Sequence, residues 1–90
     1  MILEIITPEK VFFKDEVDLV RVPGTKGSFG MKQNHAPIIS SLEPGIMKII
    51  QGSDERYFQL FDMAIVEQHK NHITIIIAGK IEETYPIFVR

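Results

Sequence analysis

The chain contains no cysteine and no tryptophan. A disulfide framework, a thiolate nucleophile and a cysteine-based zinc centre are therefore excluded, and the fold rests on packing alone. Basic residues are outnumbered ten to twelve by acidic ones, for a formal charge of -2 and a pI near 5.9. That balance lacks the positive field that phosphate backbones demand, so no nucleic-acid partner is expected. Long apolar runs are missing too: Glu4 and Glu9 interrupt the opening MILEIITPEKVFF, and neither a signal peptide nor a membrane span is expected. Helical signals are equally scarce, because alanine and leucine supply only three and four residues and no stretch of ten shows helical period.

What the chain has in abundance is β-branching, with fifteen isoleucines and six valines; such side chains favour the pleated strand. Ninety residues make one small domain, residues 1–90, and a domain this size buries roughly 60% of its unfolded surface, which leaves no room for a deep pocket. In Ile73-Thr74-Ile75-Ile76-Ile77, alternation sends Ile73, Ile75 and Ile77 to one face and Thr74 and Ile76 to the other, as in a strand covered on both sides or near a sandwich edge. Further strands are predicted over 2–7, 11–13, 17–22, 28–31, 38–41, 46–51, 57–60 and 64–68, with a final strand in the tail from Lys80 to Arg90. Short turns containing Pro8, Pro23-Gly24, Pro44-Gly45, Gly52-Ser53 and Lys70-Asn71 separate them. The spacing predicts an all-β, antiparallel sandwich of two stacked sheets.

Few residues invite chemistry. Gly24, Gly27 and Gly30 resemble a phosphate cradle, yet no helix follows them, and positive-φ turns around a hairpin explain them better. His69 and His72 flank a turn but offer only two ligands, so no metal is expected. His35 could pair with Ser28, Ser40, Ser41 or Ser53 in a small hydrolase or ligand-binding domain, although no Gly-x-Ser-x-Gly elbow surrounds any serine. Catalytic residues and cofactors are accordingly none.

Thr7-Pro8-Glu9-Lys10, Glu16-Val17-Asp18, the run from Val22 to Gly30, His35-Ala36-Pro37 and Pro44-Gly45 together resemble the amino-terminal β-sandwich domain of the epsilon subunit of F-type ATP synthases. The resemblance implies a ten-stranded sandwich in the central rotor stalk, non-catalytic itself, that links the gamma subunit to the c-ring and supports coupling of proton or sodium translocation to ATP synthesis. It places Lys26, Gly27, Ser28 and Phe29 on the c-ring side, with Phe29 an exposed anchor, and His35, Ala36, Pro37 and Ser40 on the gamma side. The implied chain is monomeric when isolated. It touches the membrane only through the complex, peripherally on the cytoplasmic face of the bacterial inner membrane. Gln33-Asn34 and Phe61-Asp62-Met63 depart from the family's Pro-Gly and Ser-Gly-Gly segments. Without the family's carboxy-terminal helices the chain is expected to couple without braking.

Overall fold

The computed structural model describes residues 1–85. These form ten strands and no helix: β1 (Ile2–Ile6), β2 (Val11–Glu16), β3 (Leu19–Gly24), β4 (Gly27–Lys32), β5 (Ile38–Leu42), β6 (Gly45–Gln51), β7 (Asp54–Leu60), β8 (Ala64–His69), β9 (His72–Ile77) and β10 (Ile81–Thr84). Each strand expected from the sequence is present. Of the expected final strand, Ile81–Thr84 forms β10, while Pro86, Ile87, Phe88 and Val89 lie outside the described residues.

Hydrogen bonding runs continuously through the order β10-β7-β6-β3-β5-β8-β9-β1-β2, with β4 on the other edge of β3. The link between β3 and β5 is a single residue pair, Gly24 opposite Leu42. At that corner the sheet curls, so that β10-β7-β6-β3-β4 forms one layer and β5-β8-β9-β1-β2 the other. The expected wholly antiparallel arrangement needs one correction, since β1 lies parallel to β9, with Ile2 opposite His72 and Ile6 opposite Ile76. Parallel neighbours need a long crossover. Here nearly the whole domain serves as that crossover, bringing the first strand between β9 and β2.

The two layers meet through alternate residues. Val20, Val22, Met47, Ile49, Phe58 and Leu60 on one side face Leu3, Ile5, Val66, Ile73, Ile75 and Ile77 on the other, all essentially inaccessible to water. The predicted alternation of Ile73, Ile75 and Ile77 is thus the inner face of β9. Polar groups are nearly absent from this core. The exception is Gln68, 1% exposed, whose Nε2 and Oε1 have no hydrogen-bond partner among the described residues. A buried amide left unpaired costs about 1–3 kcal/mol. Gln68→Met keeps the length of the side chain and removes that cost, so it should raise Tm by about 4–8 °C per kcal/mol recovered. Thermal unfolding followed by circular dichroism checks this, and an unchanged or lower Tm contradicts it.

Along the side where β2 and β10 end their layers no backbone ladder among the described residues closes the sandwich. Arg56 on β7 does so with its side chain. Its Nε and one terminal nitrogen donate to the two oxygens of Glu83 on β10, both at 3.0 Å, and its guanidinium carbon lies 5.3 Å from the Phe13 ring centre on β2. Gln51 continues the bridge, accepting from Arg56 and donating to Asp15 and to the Glu16 carbonyl. The hydrogen bonds from Arg56 hold the Glu83 carboxyl below its usual value, and the reciprocal bond raises Arg56. A depressed carboxyl stabilises the fold above its unfolded pKa and loses that contribution as pH falls through its folded pKa. The pair is about one-third exposed, so solvent screening leaves it about 1 kcal/mol. Glu83→Gln should therefore lower stability by about that much at pH 7 and by nothing measurable once pH is below both carboxyl pKa values. Urea titrations of both proteins at the two pH values provide the check.

Candidate partner-binding surfaces

The β3–β4 hairpin turns through Thr25 and Lys26, with Gly24 paired to Gly27. Only Gly27 of the three glycines adopts positive φ, at 124°. Gly24 is required for a different reason: a Cβ there would stand 2.8 Å from the Phe29 ring. Phe29 covers this glycine and packs on the core, half-buried. It is not the freely exposed anchor expected from the sequence, because its register opposite Val22 turns the ring inward. Lys26, Gly27 and Ser28 are exposed. Thr25 N donates to the Ser41 carbonyl at 3.1 Å and Glu43 N to the Pro23 carbonyl at 2.9 Å. Those two bonds seat the hairpin tip against β5.

The His35 loop joins β4 to β5 at the end of those strands opposite the hairpin tip. Asn34, at φ 64°, donates its backbone N–H to Asn71 Oδ1 at 2.7 Å, which ties the loop to the β8–β9 turn. His35, Ala36 and Pro37 are exposed, and Ser40 is half-buried on β5. His35 Nδ1 sits 2.8 Å from the Ala36 carbonyl, and the Ser40 hydroxyl donates to the Ser41 carbonyl at 3.3 Å. No hydrogen bond joins His35 to a serine among the described residues, so the geometry gives a hydrolytic dyad no support. His69 and His72 do end opposite one another on their strands, but His72 Nε2 lies 3.5 Å from Glu4 Oε1, and no group of metal-ligating side chains occurs among the described residues.

The structure adds a surface that sequence reasoning did not assemble. On the outer face of the second layer, Ser41 stands opposite Ile65, Ile65 opposite Ile76, Ile76 opposite Ile6, and Ile6 opposite Val11. Ile65 and Ile76 are 54% and 55% exposed, and Ile39, one row away on β5, is 73% exposed. A shallow depression of about 300 Å³ lies among Ser41, Met63, Ala64, Ile65, Ile76 and Ala78. Its rim is rigid: Phe61 N donates to the Lys80 carbonyl, Ala78 N to the Met63 carbonyl, and Lys80 N to Asp62 Oδ2 at 2.8 Å. The signal for this stripe was the unbroken Ile75-Ile76-Ile77, since a strand with one wet face would carry a polar residue in the middle position. Exposed apolar patches of this kind mark interaction sites.

Comparison with known proteins identifies the family of the fold. Residues 1–83 match the family described as the ATP synthase, delta/epsilon chain, beta-sandwich domain. The ATP synthase epsilon chain of Rhodopseudomonas palustris is 36% identical over 73 residues, covering 81% of this chain and 53% of that protein. The ATP synthase epsilon chain of Desulforamulus reducens is 33% identical over 87 residues, covering 97% of this chain and 64% of the relative. The chain thus spans about half to two-thirds of the length of these two relatives. Among solved structures, a chain of the Euglena gracilis mitochondrial ATP synthase, in an OSCP/F1/c-ring assembly, superimposes with a TM-score of 0.84 at 16% identity, covering 92% of this chain and 52% of that one. A chain of the Tetrahymena thermophila mitochondrial central stalk and c-ring superimposes with a TM-score of 0.76 at 17% identity, covering 91% and 65%. Sequence and fold lead to one conclusion: the chain belongs to the β-sandwich domain family of ATP synthase delta and epsilon chains.

Proposed function

We propose that this domain is a non-catalytic piece of the ATP synthase central stalk, which joins the gamma subunit to the c-ring and so supports the coupling of ion translocation to ATP synthesis. The observation that carries the reading is the Ile65–Ile76 stripe, an apolar surface that no described part of the chain covers. Gamma is the proposed occupant of that stripe together with His35, Ala36, Pro37 and Ser40, which adjoin it through Ile39 and Ser41 on β5. Lys26, Gly27 and Ser28, at the hairpin tip, face the c-ring, with Phe29 as the half-buried support that fixes the tip's shape. The names of the relatives and of the solved assemblies support membership of such a complex. The proposed role in a bacterial cell is peripheral, on the cytoplasmic face of the inner membrane.

A rotating coupler needs a body that does not deform between its two attachment points. Two layers with a continuous dry core, closed at one side by β3–β5 and at the other by Arg56, meet that requirement. The test is co-assembly. Mixed with its cognate gamma subunit, the chain should migrate as a stoichiometric complex on gel filtration and hydrolyse no ATP alone. Failure to bind gamma at micromolar concentration contradicts the reading.

A further inference from the structure

On the outer face of β4, β3 and β6 the charges are all of one sign. Arg21, Lys32 and Lys48 point outward there, interspersed with Leu19, Ile46 and Ile50, and these three strands carry no acidic residue on that face. Arg21 and Lys48 stand directly opposite each other across β3 and β6. Like charges in that relation destabilise a sheet. Neither Arg21 nor Lys32 has a carboxylate partner among the described residues. The carboxylate that reaches Lys48 is Glu55, at 3.4 Å from the neighbouring β7. It is shared with the Tyr57 hydroxyl, which donates to it at 3.0 Å and is raised above its usual pKa by that bond.

Gly30 gives the patch its shape. It lies opposite Arg21 on β4, and the position a Cβ would take there is 3.7 Å from a terminal nitrogen of the Arg21 guanidinium. The planar group therefore lies along a strand surface with no side chain beneath it, and its outer side is accessible. A guanidinium with a free fork, beside two ammonium groups, the exposed Ile46 and the half-buried Leu19 and Ile50, matches carboxylates carried on an amphipathic scaffold. In a protein whose net charge is negative, concentrating cations on one face repels its other surfaces from that partner and orients the encounter.

We infer that the outer face of β4, β3 and β6 is a docking surface for an acidic segment of a neighbouring protein chain, with Arg21 binding a carboxylate in bidentate fashion, Lys48 and Lys32 flanking it, and Leu19, Ile46 and Ile50 taking its apolar residues. This rests on the proposed place of the chain in an ATP synthase assembly, and it concerns a face other than the isoleucine stripe.

Zero-length carbodiimide coupling of the assembled complex tests it, because the reagent joins an ammonium only to a carboxylate already in contact. Peptide mapping should find Lys48 or Lys32 joined to an aspartate or glutamate of another chain, with a yield at least fivefold lower in Arg21→Gln, whose Tm should not fall, since the change removes a like-charge pair. A complex that contains gamma but joins these lysines only to Glu55, or to nothing, overturns this inference and leaves the proposed function standing. If no complex assembles, the proposed function fails instead, and the isolated chain decides the inference through NMR titration with a peptide alternating glutamate and leucine. Shifts at Arg21, Gly30 and Lys48 that weaken about tenfold in Arg21→Gln and fade with salt support it. Equal shifts with the glutamine-for-glutamate peptide, or binding to phosphatidylglycerol vesicles without binding to the acidic peptide, overturn it.

Discussion

Phe58→Ala should destabilise the domain by about 3–5 kcal/mol, a large share of the stability a chain of this length holds. Phe58 is 1% exposed on β7 and is the ring around which the two layers join: Phe12 and Phe13 on β2 each meet it edge-on with centroids 5.8 Å apart, and the Arg56 guanidinium lies 5.5 Å from its centre. Replacing a buried phenylalanine by alanine costs about 3–5 kcal/mol through lost burial and the cavity left behind. A domain of this length holds only about 5–13 kcal/mol in total. The loss also releases Phe12 and Phe13 from their partner and loosens the Arg56 bridge, so the upper end of that range is expected. Phe58→Leu, which keeps most of the volume, should cost no more than about half as much. Denaturant unfolding of the three proteins checks the order, and a Phe58→Ala protein as stable as Phe58→Leu would show that the ring does not join the layers.

The second large effect is on binding. Ile76→Asp should weaken attachment to gamma by about 2–4 kcal/mol, roughly 30- to 1000-fold in Kd, because a buried charge at the centre of an apolar contact has no partner there. The free domain should tolerate the change, losing no more than about 1 kcal/mol from reduced strand propensity, since Ile76 points away from the core and is 55% exposed. Calorimetric titration of gamma with both proteins, alongside their melting curves, separates the two effects. Equal affinities place gamma elsewhere on the molecule; a collapsed Tm shows that the outer face of β9 contributes to the fold.

These two residues also show what could be read before the structure was known. Ile73, Ile75 and Ile77 announced an inward face because every second residue is apolar, and the short turns around Lys70-Asn71 and Gly52-Ser53 delimited the strands; both residues of the former pair, and Gly52 of the latter, adopt positive φ. Charged edges were harder. The segment Asp54-Glu55-Arg56 opens β7 opposite Ile49, Ile50 and Gln51, although nothing in its composition suggests a strand; cross-strand pairing overrides local propensity there. Likewise Lys14, Asp15 and Glu16 extend β2 by pairing with Glu4, Leu3 and Ile2. The parallel β1–β9 ladder left no local trace, since its partners are about seventy residues apart and periodicity is blind to pairing over that distance. Arg56 was invisible for the same reason, as its partners Glu83, Phe13 and Gln51 come from three other strands.

The surfaces followed the same logic. The resemblance singled out His35, Ala36 and Pro37, and their exposure followed from their place in a loop, where no strand register had to be known. Phe29 misled because exposure depends on register: opposite Val22 it faces inward, whereas Ser28 and Gly30 on either side face out. The isoleucine stripe spans β8, β9 and β1 and could be assembled only once the strand order was known.

The account's central claim, one rigid domain presenting different surfaces to two partners, is tested most directly by site-specific photocrosslinking in the assembled ATP synthase. A benzophenone side chain at Ser41, exposed opposite Ile65 on the isoleucine stripe, should join the domain to gamma, and the same group at Ser28, on the hairpin tip, should join it to the c subunit. Both positions reaching the same chain, or their targets exchanged, would contradict the account.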